Sequence, residues 1–204
     1  PLYIILYFKE NKFSILNFLI IPLVNIILCL PAIIVGHPFL HCFTIYFEQV
    51  NTYNQLTLNI FNFWSFIPNN ENLTYIGYGI VLLIMGLLLY LILKSNKKFN
   101  SSLIIDVGLF SVLLCVFFLP SMHDRYLFIA DILSIIWFLK NREKIIIPIG
   151  TNLVSFISYM PFLFGNNEYL KFISILFAYI VILLGKRVYK DFYGVREKKY
   201  GKNA

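Results

Sequence analysis

Charge is what this sequence has least of. Of its 204 residues, 13% are Asp, Glu, Lys or Arg, about half the share found in water-soluble domains. Cysteine is scarce as well. Cys29, Cys42 and Cys115 are scattered, odd in number and partly inside apolar runs, so no disulfide or metal framework is implied. What the chain has instead is 59% hydrophobic residues, a mean hydropathy of +0.77 and apolar runs too long for a globular core. This composition excludes a secreted disulfide domain, a disordered tail and a cytosolic enzyme. It leaves an integral membrane protein of the all-α class, a polytopic transmembrane helical bundle.

A span needs about 20 apolar residues to cross about 30 Å of hydrocarbon. Phe13–Gly36, Thr74–Leu93, Leu103–Pro120, a segment ending at Leu139, Ile145–Phe164 and Tyr169–Gly185 predict six spans. Leu2–Phe8 is too short to cross and ends on Lys9-Glu10-Asn11-Lys12, as the last turns of a further span would. With Pro1 in place of an initiator methionine and no signal-peptide pattern, the chain reads as the C-terminal part of a longer protein, 1–204 forming one transmembrane domain. The segments Lys9–Lys12, Lys94–Lys98, Lys140–Lys144 and a basic tail over 186–204 hold 15 of the 17 Lys and Arg. The opposite connections hold Arg125, with Lys171 just beyond. The positive-inside rule therefore predicts a cytoplasmic C-terminus, and the net charge of +7 reads as topology rather than nucleic-acid binding.

The long outer connection, 37–73, divides in two. Phe39, Phe43, Tyr46, Phe47, Val50 and Tyr53 recur at helical spacing and predict a helix in the outer interface. Leu56–Ile67 is apolar but only twelve residues long; it dips into the membrane and returns, or packs on the rim of the bundle.

Ser121-Met122-His123-Asp124-Arg125-Tyr126 follows Pro120. Leu127–Leu139 alone would reach only about 20 Å, whereas a helix begun at Ser121 reaches about 28 Å. That start places His123, Asp124 and Arg125 on the first turns of a spanning helix. Free N–H groups and the positive end of the helix dipole there make an anion site. Arg125 adds a charged fork suited to phosphate. His123 can donate a hydrogen bond in either protonation state, and Asp124 can orient either neighbour or bind sugar hydroxyls. Asp131, seven residues on, falls on the same face about 10 Å deeper, where ionisable groups face an interior or a wet cavity. The plainer reading stays open: Asp124 and Arg125 pair at the interface, and Asp131 partners a neighbouring helix.

Other polar residues read as structural. Asp106 is favoured by the N-terminus of its helix. Asn17, Asn25 and Asn152 are interhelical donors. His37 and His41 have i, i+4 ligand spacing but no third ligand near, so no metal site or cofactor is predicted, and a divalent-metal requirement stays open.

Phe118–Asp131 (FLPSMHDRYLFIAD) resembles the signature of bacterial multispanning mannosyltransferases related to the second mannosyltransferase of GPI-anchor assembly. In that family the outer segment runs Pro-Lys-Met-His-Glu-Arg-Tyr and leads into a span that reaches an Asp. Gln55–Phe66 (QLTLNIFNFWSF) resembles the family's Leu-Ser-x-Asn-x-x-Asn-Leu-Trp/Tyr segment, with Asn59, Asn62 and Trp64 at matching positions. Ser121 stands where the family has Lys, and Asp124 where it has Glu.

The resemblance implies a GT-C-like glycosyltransferase that moves a sugar, mannose by analogy, from a polyprenyl-phosphate donor on the outer face of a bacterial plasma membrane. His123, Asp124, Arg125, Tyr126, Asn59, Asn62 and Trp64 would bind substrate, Trp64 as a platform for a sugar ring and Asp131 behind them. The catalytic carboxylate would lie N-terminal to this chain, which would then be inactive alone. The rivals are a transporter or flippase of a lipid-linked glycan and a non-catalytic assembly subunit. The first needs polar groups running through the bundle; the second needs only outer loops that bind a partner.

Overall fold

The computed structural model describes residues 2–10, 14–45, 55–165 and 171–194. Among them the elements run α1 (Leu2–Glu10), a 3-10 turn (Ile15–Leu19) leading into α2 (Ile20–Ile34), β1 (Thr57–Leu58), a 3-10 turn (Phe63–Phe66), α3 (Glu71–Lys94) and α4 (Ser101–Phe118). Then come β2 (Met122–His123), a 3-10 turn (Asp124–Leu127), α5 (Phe128–Asn141), α6 (Ile146–Ser158), α7 (Met160–Phe164) and α8 (Ile173–Tyr193). Among the described residues the fold is all-α except for one two-stranded patch, and four helices are long and apolar enough to cross a membrane: Ile15–Ile34, Glu71–Lys94, Ser101–Phe118 and Ile146–Phe164.

Four candidate spans, not six, correct the count read from the sequence. The remaining two segments are helical, but they carry more charge than such a span. The stretch from Asp124 to Asn141 includes Asp124, Arg125, Asp131 and Lys140; α8 runs on past Gly185 through Lys186, Arg187 and Lys190. The first residues assigned to a basic tail are thus the last turns of a packed helix, and residues 195–204 lie outside the described part.

Helix starts follow local chemistry. Asn70 and Asn100 each accept a backbone N–H of the first turn, of Asn72 and Leu103, and so satisfy one of the orphan donors there. Arg142, at φ 52, closes α5 in the left-handed conformation, a common stop. The core forms around α4, where Leu103, Val107, Leu109, Leu113, Val116 and Phe117 are buried between α3, α5 and α8. Gly150 brings α6 against α8: a Cβ there would lie 2.6 Å from Ile180 Cδ1. By contrast α2 buries none of its residues. The predicted interface helix is helical over residues 41–45; Tyr46, Phe47, Val50 and Tyr53 lie outside the described residues.

The bundle has two chemically distinct ends. At one, Lys9 donates to Ile92 O (2.5 Å) and Ser95 O (2.6 Å), closing the C-terminus of α3. At the same end Arg187 of α8 meets Glu143, beyond α5, at 2.5 Å, and Ser102 of α4 meets Asn141 at 2.9 Å. Of these, Lys9, Ser95, Asn141, Glu143 and Arg187 belong to the basic connections. The opposite end gathers Gln55–Phe66 and Pro120–Tyr126.

Candidate functional site at the motif end

The two segments singled out by the family resemblance are hydrogen-bonded to each other. β1 and β2 pair in parallel, with Thr57 opposite Met122 and Leu58 opposite His123, and Asn59 bridges to His123. Ser121 N donates to Leu56 O at 3.0 Å, and Ser121 Oγ to Gln55 O at 2.9 Å. Two non-glycine residues turn the chain into this pairing from the left-handed region, Asn59 (φ 64) and Ser121 (φ 57). Asn visits that region more readily than most side chains.

This geometry corrects the predicted helix start. A residue at φ 57 cannot open a right-handed helix, and Met122 and His123 give their backbone to β1. The chain becomes helical at Asp124, in a 3-10 turn, and α-helical only at Phe128. Four residues at about 2.0 Å and fourteen at about 1.5 Å still reach roughly 29 Å. His123 is the residue before the first turn, and Asp124 Oδ1 accepts the Arg125 N–H at 2.8 Å. The carboxylate therefore occupies one of the free N–H groups that were expected to face an anion.

Asn62 and Trp64 do something other than what was expected of them. Asn62 is fully buried: its Oδ1 accepts Trp64 N at 3.1 Å, while its Nδ2 donates to Val116 O (3.3 Å) and Leu119 O (3.4 Å). Trp64 is 2% exposed and donates Nε1–H to Phe118 O at 2.7 Å. Together they satisfy carbonyls left over at the C-terminus of α4. The Trp64 ring fits because Gly77 of α3 has no side chain: a Cβ there would lie 2.7 Å from Trp64 Cζ2 and 2.8 Å from Pro120 Cγ. With its ring covered, Trp64 offers no platform to a sugar. Leu56–Ile67 thus packs against the C-terminal end of α4 and Gly77 of α3.

The charged residues lie on the surface of this clamp. Arg125 is exposed, and among the described residues its guanidinium makes no hydrogen bond or ion pair, with Asp124 or any other group. Tyr126 is 43% exposed, its ring edge-on to the half-buried His123 at 5.7 Å. Burial holds the His123 imidazole below its ordinary pKa; the Arg125 charge adds to this and Asp124 opposes it.

Deeper, α5 and α6 share a polar seam that runs through Asp131. Ser155 Oγ donates to Asp131 Oδ2 at 2.7 Å, and Asn152 Nδ2 to Ser134 Oγ at 3.2 Å. Among the described residues Asp131 Oδ1 is buried without a hydrogen-bond partner. Asp131 thus partners a neighbouring helix through its other oxygen. Tyr159, at the end of α6, lies within electrostatic reach of both Asp124 and Asp131. Ser155 and Tyr159 were not among the predicted site residues. Their one sequence signal is i, i+4 spacing on an apolar helix.

Elsewhere the polar residues are structural. Asp106 is 1% exposed and receives Trp137 Nε1–H and Arg187 Nε–H (3.3 Å), so ion pairing rather than a helix N-terminus accounts for it. His37 Nε2 and His41 Nδ1 are 2.8 Å apart and bond to each other. Among the described residues no group of three or more His, Cys, Asp or Glu could hold a metal ion. No family model, curated protein or solved structure matches this chain.

Proposed function

We propose that this chain is the C-terminal part of a GT-C-like membrane glycosyltransferase that takes a sugar, mannose by analogy, from a polyprenyl-phosphate donor at the motif end of the bundle. In this reading the motif end faces outward from a bacterial plasma membrane, and the basic end and the C-terminus are cytoplasmic. Arg125 and His123 hold the donor phosphate. Asp124 and Tyr126 line the sugar side, Asn59 shapes the loop, and the general base comes from a part of the protein N-terminal to this chain. Asn62 and Trp64 hold the two segments in register and touch no substrate.

The supporting observation is the pairing of the two motif segments, which leaves Arg125 exposed, with no hydrogen bond or ion pair to its guanidinium among the described residues, two positions after the His123 ring. A fixed cation and a hydrogen-bond donor near membrane depth suit the charge that grows on a departing lipid phosphate. The test is transfer of radiolabelled sugar from polyprenyl-phosphate-mannose by the full-length protein in membranes. Arg125→Ala should lower it about a hundredfold or more with unchanged membrane insertion; undiminished transfer removes Arg125 from the mechanism.

One observation favours the transporter reading. Asp131, Ser134, Trp137 and Asn141 follow one another along the packed face of α5, each with a polar partner on another element or the next turn. If that seam is a through-path, Asp131→Asn abolishes glycan movement across vesicles. In the transferase reading it leaves such movement absent before and after substitution.

A further inference from the structure

Two thiols that take no part in the sugar chemistry meet across the turn that ends α2. Asn25, Cys29 and Ile33 are half-buried, and every other residue of that helix is exposed. Spaced four apart, the three form one stripe along it. Just beyond, Gly36 at φ 94 turns the chain: Gly36 N donates to Ile33 O and His37 N to Ala32 O, each at 3.0 Å. This pair of bonds is how a glycine in the left-handed region closes a helix. Helical bonding resumes after Pro38, where His41 N donates to Pro38 O at 3.0 Å and Cys42 N to Phe39 O at 3.3 Å.

Cys42 is the one buried residue over 37–45, at 7% exposed. Each thiol has a local acceptor, Asn25 Oδ1 for Cys29 at 3.7 Å and Pro38 O for Cys42 at 3.9 Å. The two thiols also come within hydrogen-bonding reach of each other. Both are free, as is Cys115 on α4. Thiols in contact across a turn have the close approach that a disulfide requires. Among the described residues α2 buries none of its side chains, so a covalent tie would hold it where packing within this chain does not.

We propose that Cys29 and Cys42 are a disulfide pair, closed by thiol–disulfide exchange, that fastens α2 to the start of the 37–73 connection. One protein thiolate attacks an organic disulfide, forming a mixed disulfide and releasing one thiolate. The second protein sulfur attacks the first, the internal S–S bond forms and the second thiolate leaves. The two protons of the protein thiols end on the two released thiols, so the pair is oxidised and the organic disulfide reduced. In the cell the proposal rests on the outward orientation given above, because disulfides persist on the oxidising side of a membrane.

The test follows each cysteine of the full-length protein by N-ethylmaleimide alkylation and peptide mass spectrometry. Treating the reduced, purified protein with dithiodipyridine should abolish the maleimide adducts of Cys29 and Cys42 together and leave their peptides joined and two hydrogens lighter. Cys29→Ser and Cys42→Ser should each abolish that loss of two hydrogens. Separate thiopyridyl groups or maleimide adducts on both sulfurs, or a bridge from either to Cys115, overturn the pairing and leave the orientation untouched. Protein alkylated in intact cells should already carry the bridge. Two free thiols there, in a protein that bridges once purified, overturn the outward orientation and with it the bridge in the cell.

Discussion

Arg187 and Arg125 sit at opposite ends of α5, and the bundle treats them in opposite ways. Arg187 reaches Asp106, Glu143 and Asn141 and lies 5.1 Å from the Trp137 ring centroid. Every part of its fork is engaged, in a network that joins α4, α5 and α8. Arg125 has no such partners among the described residues and stands exposed above a clamp whose strength comes from backbone carbonyls, Asn62 and Trp64. The contrast shows how to tell a structural arginine from a functional candidate. The first is surrounded by groups that satisfy it. The second is held in place by neighbours that do not use its charge.

Removing each arginine should break this comparison cleanly. Arg187→Ala leaves Asp106 buried beside a single neutral donor, which should cost about 3–5 kcal/mol, read as a large fall in the unfolding midpoint in detergent. Arg125→Ala should stay within about 0.5 kcal/mol in the same assay. A normal midpoint for Arg187→Ala would make the basic-end network incidental. Smaller effects test the clamp. Trp64→Phe keeps most of the ring but strands Phe118 O, a loss of about 1–3 kcal/mol. Gly77→Ala forces a methyl into Trp64 and Pro120, about 1–3 kcal/mol as for other overpacked sites. If both variants unfold like the parent protein, the segments are not held as described.

Subtler still is the turn at Asn59. Asn59→Ala should cost about 1 kcal/mol because alanine resists the left-handed region, while Asn59→Gly should cost less. The smallest expected effect is that of pH at His123. Its pKa is lower in the folded protein than in the unfolded chain, so the folded state binds fewer protons. Stability should rise with pH up to the ordinary imidazole range, and the penalty should set in below it. Comparing unfolding midpoints at pH 5.5 and 7.5, with His123→Gln as the control, isolates this contribution. A pH slope unchanged by His123→Gln would contradict the burial of that ring.

Much of this arrangement was legible in the sequence. Runs of apolar residues placed the long helices within a few residues, because a hydrocarbon slab constrains length and composition strongly. Asn152 was readable as an interhelical donor, and its bond to Ser134 is one. The join between Gln55–Phe66 and Pro120–Tyr126 was not legible, since a two-residue parallel pair has no periodicity and depends on left-handed turns at Asn59 and Ser121. Trp64 misled because a buried tryptophan and a sugar platform look alike until the covering residues, Gly77 and Pro120, are placed. Arg187 was hidden among tail lysines. Only the packing of α8 shows that it turns inward.

The most direct test of the division between the two ends measures two quantities on one pair of variants. Full-length Arg125→Ala and Arg187→Ala proteins, assayed in the same membranes, would be compared for sugar transfer per folded molecule and for unfolding midpoint. A midpoint near that of the parent with transfer down about a hundredfold is predicted for Arg125→Ala, and a lowered midpoint with transfer retained per folded molecule for Arg187→Ala. Parent-level transfer by the Arg125→Ala protein would contradict the account.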